Sequence, residues 1–189
     1  MRAPCYSEKL NEAAVLALDA FRYHRRKGGD IPYASHLFQV MVWVAESGGS
    51  EEQMIAALLH DYLEDVSGAQ RAEIEKRFGK KVCGWVETLS DCTGVPKPPW
   101  RERKEAYVAK LKTQPGELKL IATADKLHNA MSTNRDLARV GEAHWENFNA
   151  SYQETIWYYR AVIGALRCGW SHPLLDLLES EVNDLESRQ

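Results

Sequence analysis

The stretch AALLHDYLED, residues 56–65, puts a histidine and an aspartate side by side at the end of an apolar run. Residues 54–59 are apolar on every side of a helix, so His60 and Asp61 should be largely removed from water. An ionised carboxylate is costly there unless a cation compensates its charge. The stretch LKLIATAD delivers Asp125 from a second apolar run in the same way. A buried Arg or Lys could neutralise two such acids, but the histidine favours a divalent Mn, Fe or Zn ion.

Adjacent residues on a helix point about 100° apart, so His60 and Asp61 can bind one ion only if it lies between their directions. Other helices must then supply the remaining ligands. The candidates are Asp125 and His36, which lies in the stretch PYASHLFQV. Two histidines and two aspartates leave coordination positions for water and substrate, as a catalytic metal site requires.

Two more acids, Glu64 and Asp65, follow one helical turn later. Glu64 lies four residues after His60 and three after Asp61, so in a continuous helix it shares their face and could activate the attacking water. Asp65 lies four residues after Asp61 and could orient the same group. Acids at the C-terminal end of a helix oppose its dipole, which favours a functional role over a solvated helix end.

The elements that must position these residues are helical, because helical periodicity runs through almost the whole chain and no strand alternation or internal repeat is evident. The sequence therefore predicts an all-α fold. Ser7 is predicted to cap the first helix, and Ser50 with Gln53 to form a capping box. We expect helices from Ser7 to near Gly28-Gly29, over about 34–47, from Ser50 through residue 65, over about 69–78 and 80–90, from near Trp100 after the break GVPKPP, from after Gly116 through ELKLIATADKLHNAM, over about 141–168, and from about Pro173.

An aromatic and aliphatic stripe follows helical spacing in the segment 141–168, and we interpret it as core rather than as a cofactor site. Its residues are Trp145, Phe148, Tyr152, Ile156, Tyr159, Ile163 and Leu166.

Composition limits the possible classes of protein. A chain of 189 residues with 44% hydrophobic and 27% charged residues predicts one globular domain over residues 1–189. The net charge of −3 and the lack of an extended basic face argue against nucleic-acid or membrane partners. The four scattered cysteines form no C-x-x-C pair, and neither a signal peptide nor a membrane-spanning run is evident, so we expect a cytoplasmic protein with reduced thiols.

Four segments, in their order and approximate spacing, resemble the HD-domain metal-dependent phosphohydrolases. The resemblance is to the hydrolase domain of RelA/SpoT proteins and to its stand-alone relatives, the small alarmone hydrolases. The segments are RRKGGDIPYASH, AALLHDYLED, a helix with FGKKV, and ATADKLHNA, within about residues 10–165. The resemblance implies an HD-domain helical bundle of about eight to ten helices.

This resemblance implies hydrolysis of guanosine 3′,5′-bis(diphosphate), ppGpp, or of pppGpp, to GDP or GTP and pyrophosphate. The implied cofactor is Mn²⁺, although another divalent metal is possible. The residues matching the family's metal ligands are His36, His60, Asp61 and Asp125, and the catalytic pair is Glu64 with Asp65.

The resemblance also implies nucleotide contacts. Arg26 and Lys27 occupy the position where the family's arginine flanks the guanine base, and a guanidinium can stack on a purine. A solvated helix end is the alternative for HRRK. Asn129 matches an asparagine that contacts the nucleotide, whereas His128 is interpreted as a core histidine or one behind the ligands. The histidines given surface or packing roles are His24, His144 and His172.

Two regions depart from the family pattern. The family continues HNM with an arginine and a threonine, where this chain has Ala130, Met131 and Ser132. The region SDCTGVPKPPWRERKEAY differs from the family's GVTKL pattern. Its cations could reach distal phosphates, but we interpret them as a solvated charged helix: Lys97, Arg101, Arg103 and Lys104.

Several functional alternatives stay open. Because only about twenty residues follow the long aromatic segment, we expect a hydrolase without a synthetase half. Its role could be housekeeping removal of the alarmone, or neutralising a partner small alarmone synthetase as an antitoxin does. Other HD-domain substrates are deoxynucleoside monophosphates and NADPH. The alternative that is not an enzyme is a nucleotide-sensing module without catalytic activity, and the Glu64-Asp65 pair argues against it. The sequence makes no prediction about the oligomeric state.

Overall fold

The computed structural model describes residues 4–92, 94 and 96–188. Within these residues the regular structure is helical and contains no strand, apart from an isolated antiparallel bridge between Arg25 and Pro32. The prediction of an all-α fold is therefore confirmed. The elements are α1 (Glu8–Ala20), α2 (Ala34–Glu46), α3 (Glu51–Leu59), α4 (Tyr62–Asp65), α5 (Arg71–Phe78), α6 (Lys80–Leu89), α7 (Trp100–Lys112), α8 (Gly116–Val140), a 3₁₀ segment (Gly141–Asn147), α9 (Tyr152–Leu166) and α10 (Pro173–Glu186).

Helix α8 is central in the bundle and contacts α2, α3, α6, α9 and α10. Residues 118–125 of this helix are all buried, and so are residues 55–60 in and just after α3. Because both stretches are largely apolar, they pack into the interior and carry the polar residue at their end with them. The two apolar runs thus bring Asp125 and His60 into the core of the molecule.

Most predicted boundaries agree with the structure. Ser7 caps α1, Ser50 and Gln53 form the capping box of α3, and Pro173 occupies the first turn of α10. The helices predicted over 34–47, 69–78 and 80–90 and from Trp100 are present with nearly the predicted ends. Thr93 and Val95, in and beside the predicted Pro-rich break, lie outside the described residues.

The first helix was predicted to end near Gly28-Gly29, and this is wrong, because α1 ends at Ala20. Phe21 is buried and stacks on Tyr33, with ring centroids 5.0 Å apart. The chain then reverses, and the Tyr33 amide donates to the carbonyl of His24 at 2.9 Å. The segment HRRK is therefore part of a reversing loop rather than a solvated helix end.

The helix predicted from Ser50 through residue 65 is interrupted at His60 and Asp61. In a continuous helix the carbonyl of Ala57 would accept from the Asp61 amide. Instead the His60 ring Nδ1 lies 2.7 Å from that carbonyl oxygen and donates to it. The side chain thus competes with the backbone for the same acceptor, and α4 begins afresh at Tyr62.

The single helix predicted over 141–168 is also wrong. Helix α8 continues to Val140, where Gly141 with φ +61° ends it, and a 3₁₀ segment follows. Helix α9 begins only after Ser151, which forms a capping box with Glu154. Trp145 and Phe148 therefore lie before α9 rather than on its buried stripe. No helix among the described residues has both the length and the apolar character needed to cross a membrane.

Candidate metal centre and substrate cavity

Three buried side chains, each from a different element, bring their donor atoms together. His36 of α2, His60 after α3 and Asp125 of α8 each offer one nitrogen or oxygen, and these atoms lie within 4.8 Å of one another. His36 Nε2 lies 3.3 Å from Asp125 Oδ1, and His60 Nε2 lies 3.0 Å from Asp61 Oδ2. The structure thus gathers all four predicted metal ligands at one point.

The donor set fits a divalent ion. With metal–ligand bonds of about 2.1 Å, neighbouring donors in an octahedral shell lie about 3.0 Å apart. The separations between imidazole nitrogens and carboxylate oxygens in this cluster run from 3.0 to 3.7 Å. Two neutral imidazoles with two carboxylates suit Mn²⁺, Fe²⁺ or Zn²⁺.

Hydrogen bonds behind the two histidines orient their rings. His60 donates through Nδ1 to the Ala57 carbonyl, which leaves Nε2 free to act as a ligand. His36 Nδ1 lies 2.7 Å from His128 Nδ1. Burial and the nearby charge of His36 lower the pKa of His128 to about 3, so a neutral His128 can accept this hydrogen bond. His128 therefore lies behind a ligand, in line with the interpretation from sequence.

The titratable groups of the cluster shift one another's pKa values. Burial alone raises the pKa of Asp125, but Lys126 and the two histidines hold it well below its usual range. The pKa of Asp61 is likewise lowered, chiefly by His60, against the effect of burial. Burial lowers the pKa of His36, whereas Asp61 and Asp125 outweigh burial and raise that of His60. Two ionised carboxylates are thus held in the interior.

Two side chains that the sequence analysis did not single out bind the ligand carboxylates. The Tyr33 hydroxyl donates to Asp61 Oδ2 at 2.6 Å, and Lys126 Nζ donates to Asp125 Oδ2 at 2.6 Å. Tyr33 stands three residues before His36, and Lys126 directly follows Asp125. Because both residues are close in sequence to predicted ligands, their position could have identified them before the structure was known.

The acid pair is carried by the short helix α4, which begins after the break. Glu64 accepts hydrogen bonds from the Asp91 amide at 3.1 Å and from Lys97 Nζ at 3.2 Å. Burial, followed by the charge of Asp91, raises the pKa of Glu64. Asp65 accepts a longer hydrogen bond of 3.4 Å from the Tyr33 hydroxyl, and its pKa is raised by burial and by Asp61.

A cavity of about 480 Å³ has Asp61, Asp125 and the acid pair in its wall. The cavity is too polar to be a simple packing defect. Its cationic lining residues are Arg26, Lys27, Lys97, Arg103, Lys104, Lys126 and Arg135, and its aromatic ones are Tyr33, Trp100, Trp145, Phe148, Tyr158 and Tyr159. Such a lining suits a ligand that combines phosphate groups with a planar ring.

The three predicted substrate contacts all line this cavity. Arg26 donates to Asn129 Oδ1 at 2.6 Å, and Asn129 in turn donates to Asp125 Oδ1 at 2.6 Å. The Arg26 guanidinium lies 5.5 Å from the centre of the Tyr33 ring, and Lys27 Nζ lies 5.2 Å from that of Phe148. A hydrogen-bonded chain thus joins the predicted base-flanking arginine to the metal cluster.

The interpretation of these cations as solvated is correct for Arg101 and for the exposed Lys97, and wrong for Arg103 and Lys104. Arg101 pairs with Glu105 on the surface. Lys97, Arg103 and Lys104 line the cavity, and the side chains of Arg103 and Lys104 are only 15% and 18% exposed. Their carboxylate partners lie 12 to 33 residues away in sequence, so helical spacing gave no signal for them.

Some of the remaining polar residues have packing or capping roles, and others line the cavity. His172 caps α10, and His24 packs on Phe21, as packing roles predict. His144 is buried but also lines the cavity. In the segment that departs from the family pattern, Ser132 is buried in the cavity wall, whereas Met131 is exposed.

Comparisons with known proteins agree with this geometry. A family model described as an HD domain matches residues 13–151. A Drosophila melanogaster protein named guanosine-3′,5′-bis(diphosphate) 3′-pyrophosphohydrolase MESH1 is 34% identical over 126 residues, which are 65% of this chain and 68% of that protein. The Xenopus tropicalis protein of the same name is 33% identical over 159 residues, covering 82% of this chain and 83% of its own length. Escherichia coli SpoT, a bifunctional (p)ppGpp synthase/hydrolase, is 33% identical over 128 residues, which are 65% of this chain and 18% of SpoT.

Solved structures show the same fold. The structure of a metazoan SpoT orthologue, described as hydrolysing ppGpp, matches with a TM-score of 0.79 at 26% identity and covers 96% of this chain and 97% of its own. A Listeria monocytogenes protein matches with a TM-score of 0.70 at 28% identity, over 78% of this chain and 96% of its own.

Proposed function

The chain belongs to the HD-domain family, and from this premise we propose that it hydrolyses guanosine 3′,5′-bis(diphosphate) to GDP and pyrophosphate. The related guanosine pentaphosphate would give GTP. Relatives named for this reaction support the choice of substrate. The observation that carries the proposal is the convergence of the four predicted metal ligands beside a cavity lined by cations and aromatic rings, to which Asp61 and Asp125 contribute. We also propose that residues 1–189 act as a single HD hydrolase domain.

We propose that His36, His60, Asp61 and Asp125 hold one divalent ion, and that this ion is Mn²⁺. Such an ion would supply Lewis-acid stabilisation of charge on the phosphate oxygens. The support is the donor chemistry and the spacing of about 3 Å between donors. Tyr33 and Lys126 would orient the two carboxylates through the oxygens that they already bind.

In the proposed reaction Glu64 is the general base. A water oxygen bonds to the phosphorus nearest the ribose, and Glu64 accepts the proton that the water loses. The bond between that phosphorus and the ribose 3′ oxygen breaks, and the oxygen keeps the electron pair and takes up a proton. A raised pKa suits a base that works near neutral pH, and burial of Glu64 provides it. Asp65, on the same short helix, orients the water.

Arg26, Lys27 and Asn129 would bind the rest of the nucleotide. The Arg26 guanidinium is held against Asn129 and near the Tyr33 ring, which leaves it oriented for stacking on a purine. Lys97, Arg103 and Lys104 lie in the same cavity wall as Glu64 and would meet phosphate oxygens. The cytoplasmic location, the role in a stringent response and a partner small alarmone synthetase stay predictions.

The test is a product assay with several substrates. Purified protein with Mn²⁺ is incubated with ppGpp and, separately, with deoxynucleoside monophosphates and NADPH, and the products are separated by ion-exchange chromatography. GDP and pyrophosphate in equal amounts support the proposal. If another substrate releases orthophosphate while ppGpp stays intact, that compound replaces ppGpp as the proposed substrate. If the metal-loaded protein turns over none of these compounds, a sensing module is favoured. Parallel assays with Mg²⁺ and Zn²⁺ test the choice of metal.

A further inference from the structure

Asp91 lies directly behind the cavity wall, between the end of α6 and the start of α7. Its backbone amide donates to Glu64 Oε2 at 3.1 Å. Its carboxylate oxygen Oδ2 accepts from an Arg103 nitrogen at 2.5 Å and from Lys104 Nζ at 2.6 Å. All three partners line the cavity, although Asp91 itself does not. One residue therefore contacts both the predicted base and two of the cations.

The carboxylate of Asp91 is charged although it is almost fully buried. Its side chain is only 4% exposed, and burial alone would raise its pKa. Lys104, followed by a hydrogen bond with the Glu64 side chain and then by the charge of Arg103, outweighs burial and lowers the pKa of Asp91 to about 2. The anion is therefore present at neutral pH, and it holds the heads of two long side chains that would otherwise sample many rotamers.

The backbone around Asp91 is also fixed. The Ser90 hydroxyl donates to the Val86 carbonyl at 2.9 Å, and Lys110 Nζ donates to the Ser90 carbonyl at 2.8 Å. These bonds tie the end of α6 to α7. The amide that Asp91 presents to Glu64 thus has a defined direction.

We propose that Asp91 is a positioning residue for the hydrolysis proposed above. Its amide orients the Glu64 carboxylate, and its carboxylate sets Arg103 and Lys104 in the cavity wall, where they receive the phosphate oxygens of the substrate. The inference rests on the proposed function for the identity of that substrate. Burying a carboxylate between two cations is seldom the most stabilising choice for a protein, which favours a functional reason for this arrangement.

Asp91→Asn is the direct test, because it removes the charge and keeps both the shape and the backbone amide. Glu64 keeps its amide donor but loses the Asp91 charge that raises its pKa, and the two cations lose their anchor. We expect KM for ppGpp to rise about ten-fold, with kcat within about three-fold of the wild type. A merely structural role would instead lower the fraction of active enzyme, and with it kcat, and leave KM unchanged. That second pattern would overturn the proposal.

The matched control is Glu186→Gln, which removes a carboxylate that joins α10 to Arg160 of α9, outside the cavity. It should leave KM and kcat unchanged. A double-mutant cycle that combines Asp91→Asn with Arg103→Met/Lys104→Met tests whether Asp91 acts through the two cations. If Asp91 acts through these cations, Asp91→Asn adds no further increase in KM to the double variant, whereas additive effects would contradict the proposal.

Two further measurements keep the proposal testable. Binding of inorganic pyrophosphate to the Mn²⁺-loaded protein, measured by calorimetry, needs no turnover. Weaker binding to Asp91→Asn than to the wild type supports the positioning role even if ppGpp is not hydrolysed, and equal binding refutes it even if ppGpp is hydrolysed. If Asp91→Asn does not fold, Asp91→Glu keeps the charge but moves the carboxylate by one methylene. A raised KM in that variant supports the role, and a wild-type KM refutes it.

Discussion

Each histidine in the metal cluster has one ring nitrogen occupied by the protein and the other turned towards the carboxylates. His60 donates to a backbone carbonyl, and His36 contacts His128. Because these contacts orient both rings, the donor atoms of the cluster are already close to one another. Glu64 is held differently, by an amide and a lysine rather than by the cluster. The proposed metal ligands and the proposed base are thus held by separate sets of contacts.

This separation predicts different defects for two substitutions. Asp61→Ala removes a donor that lies 3.0 Å from His60 Nε2, so we expect it to lose both bound Mn²⁺ and activity. Glu64→Gln keeps the donor cluster intact, so it should retain the metal while kcat falls about 100-fold or more. Metal content by elemental analysis and steady-state kinetics on the same preparations check both. Equal loss of metal in the two variants would refute the division of roles.

Arg26 and its neighbour Arg25 offer a matched pair. Arg26 donates to Asn129 in the cavity, whereas Arg25 pairs with Asp30 on the exposed surface. Arg26→Ala should raise KM for ppGpp about ten-fold, because a charged contact to the nucleotide is lost, and Arg25→Ala should not change it. Steady-state kinetics of the two variants measure this. A KM that is unchanged in both would remove Arg26 from the binding site.

At the scale of elements, many helix ends could be predicted from local sequence signals. The other helix ends depend on contacts that such signals do not reveal. The caps at Ser7 and Ser50 were predictable because a capping side chain and its amide lie within three residues. The break at His60 was not, since it depends on a side chain that competes for a backbone carbonyl. The burial of His60 and Asp125 was predictable because apolar runs deliver both residues to the core. The ion pairs of Arg103 and Lys104 with Asp91 were not, because they form across a loop.

Buried Lys119 joins two helices that build the cavity. Its Nζ donates to the Lys112 carbonyl at the end of α7 and to the Ala165 and Cys168 carbonyls at the end of α9. Lysine is an unusual residue to bury, and here its ammonium group is satisfied by three carbonyls near the ends of two helices.

Lys119→Met should therefore lower the free energy of unfolding by about 2 kcal/mol, because the carbonyls at the ends of α7 and α9 lose a charged donor that joins the two helices. Urea unfolding followed by circular dichroism gives the value. Lys112→Met is the control, since its side chain is exposed and only its carbonyl takes part. An equal effect of the two substitutions would show that the hydrogen bonds of Lys119 do not contribute to the free energy of unfolding.

For the whole molecule, net charge is a poor guide to the ligand. The chain carries a formal charge of −3, yet the described cavity lining is rich in Lys and Arg. The described lining has seven Lys and Arg side chains and five acidic ones, so it carries a local excess of positive charge, suited to phosphate groups, that the overall charge conceals. The same cavity holds acids whose burial is costly, so the site should reduce the stability of the fold that carries it.

The cost of burying Glu64 can be measured as a change in the free energy of unfolding with pH. Folding raises the pKa of Glu64 above its ordinary value of 4.5, because burial and Asp91 disfavour its charged form. The folded state therefore holds the Glu64 proton more tightly than the unfolded state. The destabilisation is full above the raised pKa and disappears as the pH falls to the ordinary value. In metal-free protein, Glu64→Gln should be more stable than the wild type by about 1 kcal/mol at pH 7, and the difference should vanish near pH 4.

Urea unfolding in the presence of a chelator, at several pH values between 4 and 8, measures this difference. Glu186→Gln is a control of opposite sign, because the hydrogen bonds and charge of Arg160 lower the pKa of Glu186. It should be less stable than the wild type at pH 7 and should approach the wild type as Glu186 becomes protonated at low pH. If Glu64→Gln were instead less stable at pH 7, the contacts of Glu64 with Lys97 and the Asp91 amide would outweigh its burial. The acid would then be retained for the fold as well as for the reaction.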